Sequence, residues 1–181
     1  MNRVQFQSVD LLPIFGKPIY IQHCESQIGT KQHAGAILVN KDTGKSVNND
    51  VATKQVAWKT LIHTQLESMS GLIGLETELQ LQESYVNRLK QGHSLHLLPK
   101  NDSILTGVWF INDPKSSMIW TDNESQWFTG KDLKFSNDNL INSNEFRFTP
   151  QEGNLCIYPS SITLSIEHTG SDANILEFYL K

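Results

Sequence analysis

Hydrophobic and polar positions change their period along the chain, and each change marks a different kind of element. In the first forty residues the pattern is that of strands. Val4, Gln5, Phe6 and Gln7 alternate, Pro18 to Gln22 form a β-branched and aromatic run, and Ala36 to Val39 form a third short apolar run. Trp58, Leu61, Ile62, Leu66 and Met69 then recur at helical spacing, behind the potential N-cap oxygens of Asn48, Asn49 and Asp50. Gly71 lies just past the last periodic residue, where a left-handed terminating residue is wanted, so the helix is predicted to stop there.

From Leu75 the period becomes two. Leu75, Thr77, Leu79 and Leu81 alternate with Glu76, Glu78, Gln80 and Gln82, predicting a strand with one wet face that continues through Tyr85–Leu89 to Gly92. Residues 104–111 are apolar on both faces, which predicts a central strand covered on both sides. Shorter strands are predicted at 117–121, 146–149, 155–158, 162–166 and 175–180, with turn clusters around Gly153, before 155–158, and around Gly170, before 175–180. Residues 121–145 are polar and irregular and read as a long surface loop. One helix followed by evenly spaced strands predicts a mainly β fold, best matched by a jelly roll. The organisation expected is one structural domain: N-terminal strands in 1–45, a helix packed on the sheet in 46–71, and the jelly-roll core in 72–181.

Composition narrows the function. The 181 residues carry 15 Lys and Arg against 19 Asp and Glu, a net charge of −4, and only 19% are charged. Residues 1–70 hold seven basic and five acidic residues, so no half hides the basic surplus that phosphate neutralisation requires, and nucleic-acid binding is not expected. Cys24 and Cys156 have no metal-binding or redox spacing and read as two buried free thiols. The N-terminal MNRVQFQSVDLLPIFGKP lacks the apolar run of a signal peptide, and no stretch is long and apolar enough to span a membrane. The expectation is a soluble protein made in a reducing cytoplasm.

Several segments, in order, carry a resemblance. They are Leu12 to Tyr20, Ser84 to Gly92, His96 to Pro99 followed by Ser103 to Ile111, and Gly153 to Ile162. Together they resemble a family of 2-oxoglutarate/Fe(II) oxygenases common in marine bacteria and tailed phages. The resemblance implies a double-stranded β-helix with a pocket at one mouth. In active members, two His and a carboxylate or further His hold iron there, leaving open positions for cosubstrate and O₂, and an Arg anchors 2-oxoglutarate.

Carried over residue by residue, that set is incomplete. His96 falls on the first ligand position, but the second falls on Leu98. The distal His falls on Leu164, or on Thr163 if the frame slips by one, and the anchoring Arg falls near Asn174. An aliphatic side chain has no lone pair for iron. Catalytic, cofactor-binding and metal residues are therefore each expected to be none, with no cofactor. The implied protein is a degenerate oxygenase, a pseudoenzyme with a structural or interaction role. Its partners are expected to be proteins of an assembly, with no nucleic acid and no membrane, and a phage neck, tail or baseplate is the setting that the resemblance implies.

The alternative is an active dioxygenase with an atypical metal site around His96, joined by His93 and, from a distant strand, by His168. Glu76 with Glu78 and Asp113 with Asp122 are the available carboxylate pairs, the first expected to face solvent. His63 reads as a packing or surface residue. Trp109, Trp120, Trp127 and Tyr158 form a candidate sugar-stacking platform, although Trp109 lies in the doubly apolar run and is expected in the core.

Overall fold

A computed structural model describes residues 10–14, 17–25, 28–112, 115–122 and 145–181. Its strands are β1 (Asp10–Ile14), β2 (Lys17–His23), β3 (Leu81–Leu89), β4 (Ser94–Leu97), β5 (Leu105–Phe110), β6 (Ser116–Thr121), β7 (Glu145–Phe148), β8 (Asn154–Pro159), β9 (Thr163–His168) and β10 (Ala173–Leu180). The helices are α1 (Ile28–Ala36), α2 (Val51–Lys54) and α3 (Val56–Ile73). The molecule is mainly β, in two sheets. One has six strands in the order β1-β2-β8-β5-β10-β3, the other four in the order β4-β9-β6-β7. Every pairing within them is antiparallel.

Two apolar layers follow from strand alternation. On one face of the six-stranded sheet, Trp109, Leu155, Ile157, Leu176, Phe178 and Leu180 pack against Trp58, Ile62, Leu66 and Met69 of α3. Removing each such side chain from water stabilises the fold by about 1.5–3 kcal/mol. Trp58 meets Trp109 edge to face, with centroids 6.1 Å apart. The other face presents Ile19, Ile21, Val108, Phe110, Cys156, Tyr158 and Ile175 to Leu97, Met118, Trp120, Leu164 and Ile166 of the four-stranded sheet. All six residues of β5 are buried, as a strand covered on both sides requires. Gly107 of β5 lies opposite Phe178 of β10, and a Cβ there would sit 2.0 Å from the Phe178 ring. The ring occupies the space a side chain would need, so only glycine fits.

The strands expected at 117–121, 146–149, 155–158, 162–166 and 175–180 are found within a residue or two as β6 to β10. Four expectations are corrected. Ala36–Val39 is not a strand: Ala36 ends α1, and Val39 makes only an isolated bridge to Ser46. Arg88 reaches over from β3 and donates to the carbonyl oxygens of Ala34, Gly35 and Ile37, holding the end of α1 to the sheet. The single helix expected over 46–71 is two, broken where Gln55 adopts extended backbone. Its C-cap is Gly74, at φ 68°, and Gly71 continues the helix. Finally, the alternation at 75–80 does not make a strand. Leu75 and Leu79 are only half-buried near the end of α3, and Gln80 N–H bonds the carbonyl of Lys181 just before β3 begins. The strand expected at 4–7, and residues 123–144 of the expected long loop, lie outside the described residues.

Candidate functional site

The space between the sheets is where the resemblance would place iron, and β4 and β9 supply the positions. These strands pair with Leu97 opposite Leu164 and His96 opposite Ser165. Alternate residues of a strand face opposite sides. Leu95, Leu97, Leu164 and Ile166 therefore point inward, onto Met118 and Trp120, while His96 and Leu98 are exposed. His96 Nδ1 lies 3.0 Å from Ser165 Oγ on the outer face. The donor set fails in either frame. Positions 96 and 98 face away from the interior and include a leucine, whereas 95 and 97 face the interior and are both leucine. Iron needs two imidazoles and a carboxylate or third imidazole, so the residues at these positions do not fit it.

The other residues named from the sequence are not brought together with His96. His168 is buried at the far end of β9. Its Nε2 donates to the carbonyl of Ser171, so its Nδ1 accepts from Ser116 Oγ at 2.9 Å. Both ring nitrogens are thus engaged by the fold. His93 is exposed, and its carbonyl accepts from the backbone N–H of His168. Among the described residues no group of three His, Cys, Asp or Glu is placed to hold a metal ion. Asn174 accepts from Arg88 Nε at the sheet edge.

Glu76 and Glu78 are exposed, beside a cleft that also includes His63 and Glu67. His63 is exposed, 3.6 Å from Glu67. Asp122 is fully buried and paired with Lys17 at 2.9 Å, while Asp113 lies outside the described residues. The sugar platform is overturned. Trp109 belongs to the helix-side core, and Trp120 lies between the sheets, stacked on Phe146 at 5.6 Å. Tyr158 is buried and its hydroxyl is pushed well above its usual pKa by desolvation, while Trp127 lies outside the described residues. Cys24 and Cys156 are buried free thiols on opposite faces of the six-stranded sheet, and burial pushes Cys24 up to about 11.

Polar chemistry between the sheets lies elsewhere. Asn87 of β3, and Glu177 and Tyr179 of β10, are buried. The 44–46 segment pairs along the open edge of β3, and the bridge Lys45 to Asn87 brings Lys45 beside them. Gly44 permits this approach. It stands at φ 69°, and a Cβ on it would come within 2.3 Å of the Arg88 carbonyl oxygen. Glu177 is fully buried and its carboxylate accepts from Lys45 Nζ at 2.9 Å, Asn87 Nδ2 at 2.7 Å and Tyr179 Oη at 2.5 Å. Lys45 Nζ also lies 3.7 Å from the centre of the Tyr85 ring. Lys100 donates to Glu83 at 2.5 Å and lies 4.0 Å from the centre of the Tyr179 ring. That hydrogen bond holds the Glu83 carboxyl below its usual range. Burial, then the charge of Glu177, raises the Tyr179 phenol.

Sequence reasoning singled out none of Lys45, Asn87, Glu177 or Tyr179. One signal was present: Glu177 is the lone charge in the run Ile175 to Leu180, and a charge in a doubly apolar strand must find a partner.

Solved structures with this fold include an oxidoreductase of the 2OG-Fe(II) oxygenase family, a viral prolyl hydroxylase and a protein solved with 2-oxoglutarate bound. HygX from Streptomyces hygroscopicus, with nickel and 2-oxoglutarate bound, is similar with a TM-score of 0.59 at 9% identity, covering 90% of this chain and 82% of that one. The viral collagen prolyl hydroxylase vCPH from Paramecium Bursaria Chlorella virus-1 is similar at 0.55 and 8%, covering 99% and 95%. An oxidoreductase of the 2OG-Fe(II) oxygenase family from Burkholderia pseudomallei is similar at 0.52 and 11%, covering 90% and 68%. No protein-family model and no curated protein matches the sequence. The chain therefore has the fold of these oxygenases, and at such identities the likeness extends to fold alone.

Proposed function

We propose that the two sheets are a double-stranded β-helix, or jelly roll, of the oxygenase type that has given up iron chemistry and serves as a structural and interaction module. The observation that carries this reading is the set of inward-facing leucines on β4 and β9. Leu95, Leu97 and Leu164 stand where ligands would have to stand, and they pack against Met118 and Trp120. Apolar packing at these positions stabilises the domain and supplies no lone pair to a metal. The sequence resemblance to oxygenases of tailed phages supports a place in a protein assembly, a phage particle being the setting it suggests, and the low proportion of charge suits a chain with partner-covered surface.

Calorimetry with Mn(II), which mimics Fe(II) without oxidising, tests the loss of chemistry. The expected result is no saturable binding and no strengthening by 2-oxoglutarate. Tight binding that 2-oxoglutarate strengthens and His96→Ala abolishes would establish an active dioxygenase instead. Sedimentation of a lysate from the native source tests the assembly role. The chain is expected in a discrete fast-sedimenting species, and a chain found solely as a free monomer would contradict that role.

A further inference from the structure

The polar cluster of β3 and β10 lines a groove of about 360 Å³, bordered by Thr43 and Lys45 on one side and by Leu98, Pro99 and Lys100 on another. That volume is within the range of small-molecule sites. Asn87 shows that the cluster is not complete in itself. It is 1% exposed, and its Oδ1 has no hydrogen-bond partner. The amide orientation is set by Glu177: a carboxylate can only accept, so Nδ2 must face it and Oδ1 must face away. A buried carbonyl without a donor costs about as much as a lost hydrogen bond, and a bound hydroxyl would satisfy it.

Charge decides the class of ligand. Lys45, Lys100 and Glu177 line the groove together with the His96 imidazole; Lys45 is already paired with Glu177, and Lys100 with Glu83 beyond the lining, so each lysine already has an anion. An anion entering it would compete with a buried carboxylate, and a cation would compete with the lysines. A neutral group does neither. Each ammonium has three N–H groups, so each retains donors beyond its carboxylate bond. Leu95, Leu97, Leu98 and Pro99 give the groove an apolar wall suited to C–H surface.

We propose that this groove binds a small uncharged polyhydroxylated ligand, of monosaccharide size, with one hydroxyl donating to Asn87 Oδ1 and others accepting from Lys45 and Lys100. Such a ligand offers donor and acceptor on the same atom, which matches a wall that presents both. The site needs no metal, and its apolar wall shares Leu95 and Leu97 with the apolar face of β4.

The test is a ¹H–¹⁵N NMR titration with four neutral probes: D-glucose, D-galactose, N-acetyl-D-glucosamine and myo-inositol, each to roughly 50 mM, to reach weak millimolar binding. Succinate and sulfate serve as anionic controls. The expected result is saturable shifts of the Asn87 side-chain amide and the 96–98 backbone amides with at least one neutral probe. Asn87→Leu and Leu98→Trp should each weaken that binding tenfold or more. Leu98 is exposed, so Leu98→Trp closes the groove without touching the core and carries the test should Asn87→Leu fail to fold. No shift with any neutral probe, shifts with the anions alone, or binding indifferent to Leu98→Trp would overturn the proposal.

Discussion

Across the interior, the inner faces of the two sheets differ most where β4 and β9 look toward β3 and β10. The four-stranded side offers Leu95, Leu97, Leu164, Ile166, Met118 and Trp120. The six-stranded side offers Asn87, Glu177 and Tyr179, with Lys45 brought in from the 44–46 strip. The comparison teaches that two facing sheets can keep apolar packing on one side while the buried polar groups gather on the other. A buried carboxylate is tolerated on β10 because three donors meet it, and an identical carboxylate on β4 would meet none.

That contrast yields predictions of decreasing size. Leu97→Asp places a carboxylate on the apolar side and should lower unfolding free energy by about 3 kcal/mol or more, or prevent folding, in urea denaturation. A near-neutral effect would mean that the four-stranded side is wetter than its packing indicates. Lys45→Met leaves Glu177 buried without its cation and should cost about 2 kcal/mol, below the figure for a fully buried pair because Lys45 is partly exposed. Adding Glu177→Leu to Lys45→Met should recover part of that loss, and a double-mutant cycle reading zero coupling would dissolve the cluster as a unit.

Acid titration probes the rim of the same side. The Glu83 carboxyl lies below its ordinary 4.5 because of its bond from Lys100. A folded value below the unfolded one means the contribution is complete above about pH 4.5 and is lost as pH falls through the folded value. Lys100→Gln should flatten the stability profile in that window, and an unchanged profile would remove the pair from the account. The smallest effect is expected of His96→Ala, on the outer face: a change within about 0.5 kcal/mol. A large loss of stability there would show that His96 is held in the interior.

Much of the frame was legible from patterning, for identifiable reasons. β5 announces itself because both faces are buried, so the run 104–111 has no polar interruption. α3 is legible because Trp58, Ile62, Leu66 and Met69 all meet one sheet. α1 was missed because it carries two glycines and no apolar stripe, and is held by an Arg88 contact from distant sequence. The alternation at 75–80 misled because alternating residues make a strand only when a neighbouring strand takes their hydrogen bonds. The polar cluster was the least legible part. Lys45, Asn87 and Glu177 lie in three distant segments, and only the pairing of β3 with β10 and the Lys45–Asn87 bridge bring them together. The leucines at 98 and 164 were read as empty ligand positions. In the structure Leu164 faces the interior beside Leu95 and Leu97, while Leu98 is exposed, because alternation along β4 turns residue 98 outward.

The most direct test of the proposed loss of iron chemistry is anomalous diffraction from crystals grown and soaked without oxygen in Fe(II) and 2-oxoglutarate. The account predicts no anomalous peak between β4 and β9, with Leu97 and Leu164 in apolar contact with Trp120. A peak within bonding distance of His96, His93 or His168, with 2-oxoglutarate chelating it, would contradict it.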